Sequence, residues 1–366
     1  MNILIACDKF KNSLSASEVC DALANGIKQS HPTAKIIKCP MADGGDGTIQ
    51  LLQDTLDLKR VDIKSVDPLG RAIDTHYSIA PDIAYIELAE ASGIARLQHD
   101  ELDPLNAHAI GTGQIIQHAI SHGIRKIVFG IGGSASTECG LSIAYSMGWS
   151  FLDDQGQSII PTGGNLMDII AIEPPTEKPD IELTVLCDVD NPLYGTNGAA
   201  YIYGPQKGAS KSQVALLDRG LRHIASLIKT TTGVDISSLR GGGAAGGVAA
   251  GLYGLMDAQV VSGFDYLSSL LHLDHQIIRA DLIITGEGRL DEQSLSGKVV
   301  GSIAELCLQY NKPLYAVVGE NRLSSEQLES LGINKVYPII ELAVDLEDSM
   351  RNAEEYLGDV RISIKT

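Results

Sequence analysis

The chain has 366 residues and a net charge of −18, with 44% hydrophobic, 20% charged and only 5% aromatic residues. That is a globular composition with more apolar material than one core comfortably holds, so two domains are expected. The acidic balance and scarce aromatics argue against a nucleic-acid partner, and any anion site must be built locally from metal, backbone amides and a few cations.

The opening MNILIACDKF reads as a strand, since its apolar run is too short for a signal peptide and Asp8 interrupts it. Residues 2–7 are that strand. Val19, Leu23 and Ile27 recur four apart between Ser15 and Gln29 and predict a helix. A strand at 36–39, a helix at 48–55 and a strand at 61–66 complete β-α-β-α-β, the opening of a doubly wound sheet. The alternation returns at the other end: strands at 282–284, 314–318 and 336–340, helices at 299–309, 324–330 and 346–356. Between them the rhythm is lost. A strand pair (72–79 and 84–88), a helix (112–122) and strands at 126–131 and 183–187 are expected around a Pro-, Gly- and Asp-rich stretch at 153–180. The fold class is therefore α/β: an interrupted Rossmann-like (flavodoxin-like) domain of residues 1–75 and 263–366, with a second mixed α/β domain inserted at 76–262 and an active-site cleft expected between the two.

No segment reaches the length of a membrane span. Six cysteines are dispersed without a CxxC pair, which fits reduced core residues and a cytoplasmic protein.

Five loops after predicted strands carry the chemistry-bearing residues. Asp8, Lys9, Lys11 and Ser13 precede a helix and suit a phosphate or carboxylate, with helix-capping serines beside solvated lysines as the plain alternative. Asp43, Gly44, Gly45 and Asp46 offer flexible amides and metal-capable oxygens. Gly132, Gly133 and Ser134 form a small hydroxyl-bearing nest. Asp188 and Asp190 alternate on an extended segment and so point the same way, as a metal pair or a base beside a metal ligand requires. Gly286, Glu287, Gly288, Arg289 and Asp291 crowd into one turn that closes on Lys298. A Walker A motif is missing. Gly241, Gly243 and Gly246 match G-x-G-x-x-G, but residues 235–240 make a poor strand before them, so a nicotinamide-dependent hydroxy-acid oxidoreductase is the lesser alternative.

Taken in order, DKFKNSLSA (8–16), PMADGGDGT (40–48), DPLGR (67–71), IELAEASG (86–93), GIGGSAS (130–136), CDVDNPLYG (187–195), YGPQKGA (203–209), GGGAAGG (241–247) and ITGEGRLDEQSLSGK (284–298) resemble the bacterial glycerate kinase family, type I. The resemblance implies a transferase of two α/β domains that uses ATP and Mg2+ to phosphorylate D-glycerate, with the 2-phosphate favoured over the 3-phosphate. From the chemistry of these residues and their place in the motifs, Asp188 or Asp190 is expected to act as base, with the other, or Glu287 or Asp291, holding the metal. Lys9, Lys11, Arg289 and Lys298 would neutralise carboxylate or phosphate, and the amides around Gly44, Gly45, Gly132 and Gly133 would complete the cradle. Two segments depart from the family pattern. Lys9 and Asn12 replace a serine and a glycine, and Thr137-Glu138 replaces an Asn-Asp pair with Cys139 in place of the following glycine, so a non-catalytic sugar-acid-binding homologue is a further alternative.

Overall fold

The computed structural model describes residues 1–45, 47–56, 58–295, 299–360 and 362. Along the chain, β1 (Asn2–Cys7) and β2 (Lys35–Lys38) are followed by β3 (Lys59–Val66), β4 (Ala72–Ala80), β5 (Ile83–Glu87), β6 (Lys126–Gly130), β7 (Glu182–Leu186) and β8 (Gln259–Val261). Then come β9 (Leu282–Gly286), β10 (Leu314–Val318) and β11 (Ile333–Pro338). Two compact units result, one of Met1–Asp43 with Ser262–Thr366 and one of Gly44–Val261.

The first unit holds a five-stranded sheet in the order β11-β10-β9-β1-β2, with every pairing parallel. Numbered within the unit this is 2-1-3-4-5, the flavodoxin-like order, whose direction reverses between β1 and β9. A parallel sheet covered on both faces needs near-continuous apolar strands, and Ile3 to Cys7 and Leu282 to Ile284 are accordingly buried. The helix Ala16–Ser30 starts at Ser15, whose side chain accepts from the Glu18 amide while Glu18 accepts from the Ser15 amide at 2.8 Å, a capping box. Its Val19, Leu23 and Ile27 pack with Ile3, Ile5, Leu282 and Ile284 in one core.

The second unit holds a six-stranded sheet, β8-β7-β6-β5-β4-β3, parallel from β8 to β5 and antiparallel from β5 to β3. Its core joins Ile86, Phe129 and Val185 to Ile116 of the helix Ile110–Ser121, Leu221 of the helix Lys211–Thr232 and Leu252 of the helix Ala244–Met256.

The boundary expected near residue 75 lies instead between Asp43 and Gly44. The strand at 61–66 belongs to the second sheet, where it pairs with β4 from Lys59↔Ile79 to Val66↔Ala72. A hairpin turn makes that pairing local. Buried Asp67 accepts from the Leu69 and Arg71 amides, each at 2.9 Å, and from Arg71 Nε at 2.6 Å, with Gly70 at φ 82°. The five residues of this turn permit only an antiparallel return of β4 beside β3, since a parallel pair needs a crossover of a dozen or more residues. Among the described residues no helix is long and apolar enough to cross a membrane.

Candidate active site

In the first unit the reversal of strand order falls between β1 and β9, whose last residues Cys7 and Gly286 are register partners. In such sheets the crevice beyond the carboxyl ends at this point is the ligand site. The residues that follow the two strands are Asp8 and Glu287, and the Asp8 amide donates to the Gly286 carbonyl at 2.9 Å. Gly286 is required by packing, because a Cβ there would stand 2.1 Å from the Val317 carbonyl of β10. Asp43 follows β2 in a segment tied to β1 by the Met41 amide on the Cys7 carbonyl at 2.9 Å.

Asp8 and Glu287 are each only 8% exposed. Burial first, then the negative charge of Asp43 and a smaller push from Glu287, raises the Asp8 carboxyl to about 7, against the Lys9 amide and ammonium. Three oxygen-donor carboxylates that repel one another in a site poor in water suit a hard cation such as Mg2+, which needs only one or two of them beside phosphate oxygens and water. Among the described residues no group of three or more His, Cys, Asp or Glu side chains is arranged so that it could hold a metal ion by itself.

The other predicted residues of this unit are placed as follows. The turn after Asp8 is closed by a bridge between Phe10 and Leu14, with Asn12 in the left-handed region at φ 62°. Lys9 is half-buried and Lys11 exposed. The Ser13 hydroxyl donates to the Met350 carbonyl at 2.5 Å, so it serves the fold. Arg289 pairs with Asp291, Nε to Oδ2 at 2.9 Å. Lys298 lies outside the described residues.

In the second unit the adjacent parallel strands β5, β6 and β7 end in one row, Glu87↔Gly130↔Leu186. Gly133, at φ 68°, accepts from the Ile94 amide at 2.7 Å, and the buried Ser134 hydroxyl donates to the Ser136 carbonyl at 3.3 Å. The first of these bonds, with the Ala135 amide on the Ser92 carbonyl at 3.0 Å, locks the loop after β6 to the loop after β5. Gly44 takes φ 108°, and the Gly45 carbonyl accepts from the Thr48 hydroxyl at 2.7 Å at the start of the helix Thr48–Thr55. Asp188, exposed, stands two residues beyond β7. Asp190 is held by Arg240, a residue the sequence did not single out, whose hydrogen bonds and charge lower the Asp190 carboxyl below its ordinary range.

Thr137, Glu138 and Cys139 are fully buried, so the departures from the family pattern act on the interior of the loop. Glu138 accepts from the Ser136 hydroxyl and the Ser142 amide, each at 3.1 Å, and burial raises its carboxyl. Lys207, 2% exposed, donates to the Ser136 carbonyl; burial lowers its ammonium to about 7, opposed by the charge of Glu138. The glycines of the G-x-G-x-x-G match are consumed by packing. A Cβ at Gly243 would meet the Pro192 carbonyl at 2.4 Å, and one at Gly246 the Ser136 carbonyl at 2.3 Å. With no strand before them, they do not form a dinucleotide turn.

The model of the glycerate kinase family matches residues 3–365. A glycerate kinase of Haemophilus influenzae is 38% identical over 98% of this chain and 96% of its own length. A glycerate 2-kinase of Escherichia coli K12 is 36% identical over 96% of this chain and 94% of its own. The crystal structure of a Salmonella typhimurium LT2 protein provisionally named glycerate kinase 2 superposes with a TM-score of 0.84 at 36% identity, covering 98% of this chain and 96% of that one. A match of this extent in sequence and fold places the chain in the glycerate kinase family.

Proposed function

We propose that this enzyme transfers the γ-phosphoryl group of ATP to D-glycerate with Mg2+, the 2-hydroxyl being the favoured acceptor. Membership of a kinase family implies glycerate as substrate and a nucleotide co-substrate. The observation that carries the fuller reading is the pair Asp8 and Glu287 at the reversal of the flavodoxin-like sheet, with Asp43 near enough to raise the Asp8 carboxyl.

Phosphoryl transfer is mostly a matter of positioning and charge neutralisation. One or two of Asp8, Asp43 and Glu287, with Asp291 nearby in sequence, are the residues we assign to hold Mg2+, which would supply positive charge against the phosphate oxygens. Lys9, Lys11 and Arg289 supply positive charge for phosphate or carboxylate. In the second unit Asp188 accepts the proton of the attacking hydroxyl, while the amides of Gly132 and Gly133 at the end of β6 receive an anionic oxygen. The absence of a long apolar helix among the described residues and the six buried thiols agree with a cytoplasmic enzyme.

The test is ADP release from MgATP by the full chain, with and without D-glycerate, followed by phosphorus NMR of the product. A glycerate-dependent rate and a 2-phosphate signal are expected. ADP release that does not respond to glycerate defeats the kinase reading, and a 3-phosphate signal defeats the regiochemical part alone.

A further inference from the structure

The row Glu87↔Gly130↔Leu186 puts one carboxylate on the edge of the second unit's parallel strands, beside a position with no side chain. The vacancy matters for geometry. A Cβ at Gly130 would stand 3.1 Å from Glu87 Oε2 and 3.1 Å from Ile49 Cγ1, so glycine lets the Glu87 side chain lie across the end of β6. There Glu87 borders a cavity of about 190 Å³, large enough for a three-carbon molecule, with Gly47, Gln50, His76, Tyr85 and Glu90 among its walls. Gly47 belongs to the glycine- and aspartate-rich loop described above, and the loops after β5 and β6 are bonded together at Glu87's root by the Leu88 amide on the Gly130 carbonyl at 2.8 Å.

Glu90 is the second acid of the cavity. Glu90 is paired with His76 Nδ1 at 3.2 Å and with Arg96 Nη2 at 3.4 Å. The Gln53 amide goes to the Ser78 hydroxyl at 2.7 Å, and the Tyr77 hydroxyl to His118 Nδ1 at 3.1 Å. Glu87 is the lining carboxylate that sits at the carboxyl end of a parallel strand, the end of open α/β sheets outside which ligands bind.

We propose that Glu87 is a substrate-binding residue that selects for a hydroxyl group on a small hydroxy acid. A carboxylate accepts hydrogen bonds and does not donate them. It therefore favours a hydroxyl donor and repels the carboxylate of the same molecule, which fixes which end of the acid enters the cavity. The inference rests on the glycerate kinase reading and adds to it the residue that discriminates a dihydroxy acid from its monohydroxy analogues.

The experiment measures KM for D-glycerate and for ATP, inhibition by lactate and by 3-hydroxypropionate, and calorimetric D-glycerate binding, in wild type and in Glu87→Gln and Glu87→Asp. Loss of a hydrogen bond to a charged group is expected to raise KM and Kd for D-glycerate about ten-fold or more in Glu87→Gln, to leave KM for ATP within about two-fold, and to erase the preference over one of the two monohydroxy acids. Glu87→Asp, which keeps the charge on a shorter stem, should fall between. Unchanged glycerate KM and Kd in folded Glu87→Gln overturn the proposal. Glycerate binding by the wild type without ADP formation removes the kinase reading alone, and no glycerate binding at all removes both.

Discussion

Arg240 grips both carboxylate oxygens of Asp190, Nε to Oδ1 at 2.5 Å and Nη2 to Oδ2 at 2.8 Å. The pair is exposed, with 82% and 62% of the two side chains accessible, so it adds little to stability. Its effect is chemical. A carboxylate whose lone pairs are occupied and whose proton affinity is lowered is a weak general base. Asp188, two residues earlier on the same segment, is the better candidate for that role. Asp188→Asn is expected to lower kcat at least about a hundred-fold, and Asp190→Asn no more than about ten-fold. Arg240→Gln should resemble Asp190→Asn, and the double variant should be no worse than either. Steady-state kinetics on the four proteins decide it; equal losses at Asp188 and Asp190 would reject the division of roles.

The acidic group around Asp8 makes a prediction about pH. Its folded carboxyl titrates at about 7, against ~3.9 in an unfolded chain. The folded state therefore holds the proton more tightly. The stability this contributes is complete below pH ~4 and is lost as pH rises through 7. Asp8→Asn, neutral throughout, should gain on the wild type by about 2–3 kcal/mol between pH 5 and pH 8. Denaturant unfolding of both proteins at the two pH values measures the gap, and a gap that stays constant or narrows contradicts the burial of this charge.

The glycine- and acid-rich loops were legible because glycine beside Asp, Lys or Ser after an apolar run has few plain structural uses. Asp8, Asp43 and Glu287 all stand in such loops, and the flavodoxin-like order puts the residues just after β1 and β9 at the reversal of strand order. The placement of β3 was not legible from periodicity, since alternation marks a strand without naming its neighbour. The turn Asp67-Pro68-Leu69-Gly70 held the missing signal, a tight hairpin connection. Arg240 on Asp190 and Lys207 near Glu138 were invisible for another reason: each joins residues 50 or more positions apart, a relation no local pattern encodes. Glu87 is marked in the sequence only as an acid at the last position of an apolar strand.

Lys207 and Glu138 form a buried charge system around the loop after β6. Lys207 satisfies the Ser136 carbonyl, and Glu138 binds the Ser136 hydroxyl and the Ser142 amide. Removing one member strands the other in the interior. Lys207→Met and Glu138→Gln should each destabilise the protein by about 3 kcal/mol, and the double variant by at least ~1 kcal/mol less than their sum. A double-mutant cycle in denaturant gives the coupling directly. Additive losses would mean the two charges do not sense each other.

Cys139 tests how the chain tolerates a side chain where the family pattern carries glycine. Its backbone sits at φ 60°, and Asn12, at the other such position, sits at φ 62°, so both keep the left-handed conformation. Asparagine enters that region readily, whereas cysteine does so at a cost of roughly 1–2 kcal/mol. The Cys139 carbonyl is also the atom that forbids a side chain at Gly251, where a Cβ would stand 1.6 Å away. The backbone of this turn is thereby fixed, and relaxation to an ordinary φ is blocked. Cys139→Ala and Cys139→Gly both lose the sulfur, and they differ in whether a Cβ is kept in the left-handed region. The glycine variant should therefore be the more stable by about 1 kcal/mol, the reverse of the order at a helical position. Thermal unfolding of the two variants side by side measures the difference. An alanine variant as stable as the glycine variant would show that the turn had found another conformation.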